Sequence, residues 1–328
     1  MTRPTGLIDV HHHAIPPLYA RAIGARFALP GSDRPGWSPR ESLEVMDAQG
    51  IATSVLSVPP PGVTFVEGGA SRALARQVNE YFAALVAEHP TRFGAFAVLP
   101  LPDVGAAMEE LDHVADVLRL DGVGLLTCYG HRYLGDPEFE PLLAEIADRG
   151  LPVHVHPGPP PAQGPGARDL PPAPYDLAFE TTRTVVSLLF NGVLDRLPHL
   201  KLIVSHAGGT LPFLAKRLTY GPELGKRLTY GPELGEHHAE RAPVDVIAQL
   251  RGLYFDIAGS ANDDALPALT RLAAPERILF GSDFPFTPAD RTAENVAGFA
   301  SYREWTDERR AAVGRDNALA LLPRLAAR

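Results

Sequence analysis

Short apolar runs recur along the whole chain, and each ends at a glycine, a proline or a polar residue. Eight such runs are apolar at successive positions: 7–10, 51–58, 93–99, 122–127, 152–155, 200–205, 253–257 and 278–280. Strands that are apolar on both faces are typical of a parallel sheet covered by helices. The pattern therefore predicts eight buried strands.

Segments with helical spacing of apolar residues separate these runs. They cover 70–88, 104–118, 137–148, 179–197 and 261–273, and a further helix is predicted to begin at Pro39 with Ser38 as its N-cap. Eight strands alternating with helices over one continuous chain favour an α/β fold, the (β/α)8 TIM barrel, over a doubly wound sheet. No segment resembles an interdomain linker, so residues 1–328 are predicted to form a single barrel domain.

Composition and charge narrow the classes of partner. Of 328 residues, 45% are apolar and 21% charged, which is ordinary globular usage. The net charge of −9 argues against a nucleic-acid or anionic-membrane partner. The single cysteine, Cys128, excludes an intrachain disulfide and any site built from several cysteines, and we expect it to serve packing. No basic-then-apolar leader or long apolar span is visible, so we expect a cytoplasmic protein without a membrane segment.

Histidines cluster at the ends of two predicted strands. Alternation along the first strand directs His11 and His13 into the barrel mouth and His12 outward. On the fifth strand His156 lies nearer the carboxyl end than His154. We therefore expect His156 to be a metal ligand and His154 to be a buried residue held by hydrogen bonds beneath the site.

Two further strand ends carry groups of the same kind. His206 ends the sixth predicted strand and Asp283 follows the eighth. The carboxyl ends of all barrel strands meet at the face where barrel enzymes keep their active sites. Imidazoles with a carboxylate suit one divalent ion, most simply zinc, with manganese or iron as alternatives. The other histidines are interpreted as surface or local structural residues: 89, 113, 131, 199, 237 and 238.

Several motifs resemble the metal-dependent amidohydrolase superfamily, in its branch of aminocarboxymuconate-semialdehyde, resorcylate and methylsalicylate decarboxylases. The resemblance runs from Ile8 to about Leu322, and these motifs carry it: IDVHHH, VLSVPPPG, FAVLPLPD, LTCYGHRYLGDPEFEPL, HVHPGPPP, SHAGGTLPFL, LYFDIAGSA and ILFGSDFP. The likeness is strongest to the methylsalicylate-decarboxylase-like group. It implies a metal-dependent barrel enzyme that acts on a small carboxylic acid.

Residue roles carry over from the resemblance by position. The implied metal ligands are His11, His13, His156 and Asp283, and His206 is the implied acid/base beside the metal. In the related muconate-semialdehyde enzyme an arginine corresponding to Arg217 reaches into a neighbouring subunit's site. The resemblance therefore implies a homodimer, although Arg227 competes for that role because it occupies the same place in a repeated segment.

Three departures refine what the resemblance implies. Gly158 stands where the muconate-semialdehyde enzyme has a tryptophan, and Ser42 stands where it has an arginine, with Arg40 the nearest substitute. Both favour a phenolic or other small acid over a muconate substrate. Binuclear members of the superfamily carry a carbamylated lysine after the fourth strand, and residues 122–130 contain no lysine. A single metal ion is therefore expected.

Together, the residues and the resemblance predict a non-oxidative decarboxylase of a small aromatic or unsaturated acid, such as a methylsalicylate or hydroxybenzoate. Asp283 or His206 would supply the proton that replaces the carboxylate. Substrate contacts are expected from Arg40, Tyr129 and Arg217, and Phe284 or Phe286 would form an aromatic wall beside the loops 59–63 and 128–133. The same residues would equally suit a hydrolase of a lactone or amide. A non-enzymatic metal-binding scaffold is the third alternative.

A ten-residue segment is duplicated without change. Residues 216–225, KRLTYGPELG, recur as residues 226–235. Pro222 and Pro232 prevent one helix from absorbing both copies. We expect a bulging loop or short extra turn, with one copy packed against the barrel or a partner subunit.

Overall fold

The computed structural model describes residues 5–24, 37–158, 160, 175–220 and 245–327. Ten strands lie in these ranges: β1 Leu7–His13, β2 Ile51–Ser57, β3 Phe93–Val98, β4 Gly122–Leu126, β5 Cys128–Tyr129, β6 Arg132–Tyr133, β7 Val153–His156, β8 Leu202–Val204, β9 Tyr254–Asp256 and β10 Ile278–Leu279. Eight of them form one parallel sheet in the order β1-β2-β3-β4-β7-β8-β9-β10, while β5 and β6 form a separate hairpin. The eight predicted strands are confirmed.

Backbone hydrogen bonds close this sheet into a barrel. The N–H of Val10 donates to the carbonyl of Phe280 at 3.0 Å, and the N–H of Asp283 donates to the carbonyl of His11 at 2.8 Å. A third bond joins the N–H of His13 to the carbonyl of Phe284 at 2.7 Å. These bonds link the first and last strands, so the TIM barrel predicted from the alternation is confirmed.

Helices cover the outside of the sheet in the described ranges: α1 Pro17–Ile23, α2 Pro39–Gln49, α3 Gly68–Glu88, α4 Val104–Asp112, α5 Glu140–Asp148, α6 Asp176–Phe190, α7 Val193–Arg196, α8 Leu211–Leu218, α9 Val246–Gly252, α10 Ala265–Leu272, α11 Ala289–Ser301, α12 Asp307–Ala311, α13 Asn317–Leu321 and α14 Pro323–Ala326. The predicted cap of α2 is confirmed, because the Ser38 hydroxyl accepts the N–H of Glu41 at 3.2 Å. The helix predicted over 179–197 is interrupted because Gly192 adopts a φ of +69°. Within the described ranges, each helix is too short or too polar to cross a lipid bilayer.

Two apolar layers hold the barrel together. The larger lies between the strands and the helices. The smaller fills the barrel interior, where Ile8, Phe96 and Ile203 pack with Leu321 and Leu322 from the C-terminal segment. This packing fills the barrel below the carboxyl ends of the strands. The polar residues collect at those carboxyl ends, where the barrel is open.

The duplicated segment begins in the last turn of α8. Residues 216–220 belong to α8 and the turn after it, whereas residues 221–235 lie outside the described residues. The expected placement of the two copies therefore stays a prediction.

Candidate metal centre

The end of β1 places alternate histidines on opposite sides of the barrel wall. His11 and His13 face the mouth, where their Nε2 atoms are 3.3 Å apart. The ring of His12 faces the helix layer, where its Nδ1 lies 3.0 Å from Asp9 Oδ2 and its Nε2 lies 2.9 Å from the Ser42 hydroxyl. The directions predicted from strand alternation are confirmed.

Two other strand ends complete a set of four donors. The Nε2 of His156, at the end of β7, lies 3.2 Å from His13 Nε2. Asp283, just after β10, places Oδ1 3.3 Å from His11 Nε2 and 3.1 Å from His13 Nε2. The ligand atoms of these four residues all lie within 4.8 Å of one another. The structure thus brings together the residues that the sequence predicts as metal ligands.

The hydrogen bonds behind the rings fix which nitrogen carries a proton. His11 Nδ1 lies 2.9 Å from Asp256 Oδ2, and His156 Nδ1 lies 2.9 Å from the carbonyl oxygen of Pro157. Both oxygens only accept, so both Nδ1 atoms carry protons and each Nε2 is the nitrogen left to bind a cation. His13 Nδ1 lies 3.2 Å from the Ser57 hydroxyl, an arrangement that allows the same tautomer. Three ring nitrogens and a carboxylate that converge on one point fit a cation.

The local electrostatics also favour positive charge at this point. Burial opposes a charge on His11, but Asp256 and Asp283 outweigh it and raise the pKa of His11 to about 10. Burial lowers the pKa of His13 and of His156. Burial would raise the pKa of Asp283, yet its contacts with His11, His13 and His206 hold that pKa well below the usual range. Contacts with His11 and His154 likewise hold the pKa of Asp256 well below its usual range, so Asp283 within the donor set and Asp256 behind His11 are both ionised.

His206 lies beside the four donors without joining them. Its Nε2 is 3.6 Å from Asp283 Oδ2, the oxygen that does not face the other histidines, and its side chain is 20% exposed. His206 and Ala207 both have a φ of +55°, and Asp283 has a φ of +62°. Non-glycine residues in this region cost roughly 1–2 kcal/mol each, and such strain is typical of functional sites. His206 occupies the adjacent position that the resemblance implies for an acid/base.

A pocket opens next to His156 on the side of β2, β3 and β4. Its lining includes Gly62 from the loop 59–63 and Tyr129 from the hairpin 128–133, together with apolar side chains such as Leu126 and Val98. The Tyr129 hydroxyl accepts the N–H of Leu126 at 3.0 Å. Burial raises the pKa of Tyr129, so the phenol is neutral near pH 7.

Of the two candidate aromatic wall residues, Phe286 lies at the site. Its ring meets His13 edge-on with centroids 5.3 Å apart. Phe284 is buried and packs against His12 at 5.2 Å, on the outer side of the barrel wall. Phe286 alone of this pair therefore borders the donor set.

The two candidate arginines lie on the outer surface of the barrel. Arg40 is 84% exposed and pairs with Glu44 at 3.5 Å. It lies two residues before Ser42, which faces the core, so the helix turns it away by roughly 200°. Arg217 is exposed in the last turn of α8. The structure brings neither to the donor set, and the expected reach of Arg217 into a neighbouring subunit stays a prediction.

Comparisons with known proteins identify the family of the chain. The sequence profile of the amidohydrolase family matches residues 8–324. The chain belongs to the amidohydrolase family. It is 38% identical to decarboxylase yanB of Aspergillus niger, over 97% of this chain and 87% of that protein. It is 36% identical to 6-methylsalicylic acid decarboxylase of Penicillium expansum, over 97% and 96% of the two chains. The crystal structure of an amidohydrolase II superposes with a TM-score of 0.85 and 29% identity, covering 97% of this chain and 100% of that one.

Sequence reasoning assigned no role to one residue of this amidohydrolase site. Asp256 is fully buried at the end of β9 and contacts both His11 and His154 through Oδ2. A carboxylate inside an apolar strand was the available signal. His154 itself lies as predicted, with Nε2 3.2 Å from the Ser205 hydroxyl and its ring stacked on Phe96.

Proposed function

We propose that the chain is a metal-dependent carboxy-lyase that removes carbon dioxide, without oxidation, from a small aromatic acid of the hydroxybenzoate or methylsalicylate type. The observation that carries the proposal is the position of His206, a partly exposed acid/base next to four converging ligand groups. The two relatives described above are named decarboxylases, and one of them is named for 6-methylsalicylic acid. Their names support the same reaction class here.

One divalent cation would be held by His11, His13, His156 and Asp283. When bound, it would supply a positive charge that attracts the anionic oxygens of the substrate. Three nitrogens and one oxygen suit zinc, and manganese is the alternative that metal analysis of the purified protein would distinguish. Residues 122–126 of β4 and the hairpin after it contain no lysine to bridge a second ion.

The proton comes from His206. Because His11, His13 and His206 hold the pKa of Asp283 well below its usual range against the effect of burial, Asp283 is ionised and cannot act as the acid near pH 7. The imidazolium of His206 donates its Nε2 proton to the ring carbon that bears the carboxylate. The bond from that carbon to the carboxylate then breaks, its electron pair restores the aromatic ring, and carbon dioxide leaves. Asp283 Oδ2 stabilises the imidazolium before the transfer.

The remaining contacts orient the aromatic ring. Tyr129 keeps one O–H to donate to a substrate oxygen, since its hydroxyl oxygen already accepts the Leu126 N–H. Phe286 offers an edge beside His13. Because Arg40 points away from the site, carboxylate recognition falls to the cation, to Tyr129 and, across a subunit contact, to Arg217.

The assembly we propose is a cytoplasmic homodimer with α8 near the contact. Phe213 and Arg217 lie one turn apart on an exposed face of α8, and 87% of Phe213 is exposed. A large exposed aromatic beside an arginine is typical of an interface. Sedimentation of Phe213→Ser should show monomers, whereas an unchanged dimer would place the contact elsewhere.

The test of the reaction is a substrate panel. Purified protein supplied with zinc or manganese is incubated with hydroxybenzoates, including 6-methylsalicylate and 2,6-dihydroxybenzoate, and with aromatic lactones and amides. We expect carbon dioxide release from one or more of the acids and no acid formation from the lactones or amides. Acid formation without carbon dioxide release would instead support the hydrolase alternative.

A further inference from the structure

The Asp256 carboxylate contacts residues on or next to three other barrel strands, β1, β7 and β8. Its Oδ2 lies 2.9 Å from His11 Nδ1 and 3.1 Å from His154 Nε2. Its Oδ1 accepts the backbone N–H of His206 at 3.1 Å and that of Ala258 at 3.0 Å. The side chain is fully buried, so water does not compete for these four contacts.

His11, His154 and Asp256 together have the composition of a second metal site, but their geometry argues for hydrogen bonds. The Nε2 of His11 faces His13 and Asp283 in the four-donor set, where it would bind the cation. A neutral imidazole has a single lone pair on nitrogen, so His11 Nδ1 carries the proton and cannot bind a second cation. Asp256 therefore acts here as an acceptor that fixes the ring of His11.

The same carboxylate fixes the backbone of the acid/base. His206 and Ala207 adopt left-handed φ values of +55°, a conformation that needs support from its surroundings. The bond from the His206 N–H to Asp256 Oδ1 supplies part of that support. The turn also packs tightly on β9, since a Cβ on Gly208 would lie 2.8 Å from the ring of Phe255.

We propose that Asp256 is a positioning residue that couples the ligand ring of His11 to the backbone of His206. One oxygen selects the His11 tautomer that leaves Nε2 free to bind a cation, and the other holds His206 in the orientation that places its ring beside Asp283. The part that concerns His206 rests on the proposed function, whereas the part that concerns His11 depends only on cation binding.

The decisive variant is Asp256→Asn. The amide oxygen can still accept the two backbone N–H groups, but the amide nitrogen then faces two ring nitrogens and cannot accept a proton from either. We expect zinc affinity, measured by chelator competition, to fall about 10–100-fold, the usual cost of losing a group that holds a ligand. Unchanged zinc affinity would overturn the proposal.

The matched control is Asp121→Asn. Asp121 is also a buried carboxylate, and its Oδ2 accepts the Ala95 N–H at 2.8 Å at the opposite end of the barrel. We expect Asp121→Asn to keep wild-type zinc affinity whatever it does to stability. An equal loss of affinity in both variants would reduce the role of Asp256 to general stability and would contradict the proposal.

The part of the proposal that concerns His206 is tested with a double mutant. If Asp256 acts through His206, Asp256→Asn should reduce kcat at saturating zinc by a smaller factor in His206→Asn than in the wild type. An equal reduction of kcat in both backgrounds would refute the role of Asp256 in positioning His206. If the wild type releases no carbon dioxide from any acid, the proposed function fails. The zinc measurements would still test whether Asp256 supports cation binding by His11.

A spectroscopic measurement covers the case in which Asp256→Asn does not fold. In the zinc-loaded wild type labelled with 15N-histidine, His11 should be observed with its proton on Nδ1 and with an unprotonated Nε2. The reverse tautomer would contradict the assignment of Asp256 as the acceptor.

Discussion

His206→Asn separates the acid/base role from metal binding. The position has a φ of +55°, a region that asparagine tolerates better than other non-glycine residues, so the turn should persist. His206 Nε2 lies 3.6 Å from Asp283 Oδ2 and outside the four-donor set, so zinc affinity should stay within about tenfold of the wild type. The free energy of unfolding should change by no more than about 1 kcal/mol.

The expected loss is in the rate of decarboxylation. A positioned general acid contributes about 100- to 10,000-fold, which corresponds to about 2.7–5.4 kcal/mol in the activation free energy. The assay measures initial carbon dioxide release at saturating substrate and zinc, beside the bound zinc per chain and a urea denaturation curve. His199→Asn, at an exposed histidine on the surface, is the control and should match the wild type in all three.

Two results would refute this reasoning. A rate within tenfold of the wild type would show that His206 does not supply the proton. Loss of bound zinc from His206→Asn would show that His206 is a ligand, contrary to the geometry.

Three further substitutions or treatments test the packing around the site. Gly281→Ala should weaken zinc binding at least about tenfold, because the new Cβ would lie 2.8 Å from the Cβ of His11. The control Gly69→Ala should leave zinc binding unchanged, because a Cβ there meets nothing within 4 Å. Equal zinc affinity in both would contradict the close approach. The Cys128 thiol, whose pKa is raised to about 11 by burial and by Glu180, should react with iodoacetamide at pH 8 far more slowly in the folded protein than in urea, and faster as the pH rises towards 11. A folded rate equal to the unfolded rate would refute that environment. Phe96→Ala should lower the urea-derived free energy of unfolding by about 3–5 kcal/mol, since the ring is fully buried in the barrel interior, and a loss below about 1 kcal/mol would contradict that packing.

The local part of the site was predictable from the sequence. The period of two along a strand placed His11 and His13 inward and His12 outward without any knowledge of neighbours. The rule that barrel strands end at one face then brought His156 and Asp283 to the same point. These inferences depend only on backbone geometry and chain order.

The non-local part was not predictable by the same means. Asp256 meets His11 across 245 residues, and that contact depends on how β9 and β10 are offset within the closed barrel. Arg40 was a candidate because its position in the sequence is near Ser42, but the phase of α2 decides that Ser42 faces the core and Arg40 faces solvent. Strand register across the barrel and helix phase both follow from packing, which motifs alone do not specify.

Decarboxylation in heavy water tests the proposed reaction most directly. The zinc- or manganese-loaded protein is incubated in D2O with whichever acid of the panel reacts, with 6-methylsalicylate the first candidate, and the products are followed by NMR and gas analysis. We expect one carbon dioxide per substrate consumed, no oxygen uptake, and one deuterium on the ring carbon that carried the carboxylate. Oxygen consumption would contradict non-oxidative decarboxylation. A product without deuterium at that carbon would contradict protonation there by an exchangeable group such as His206.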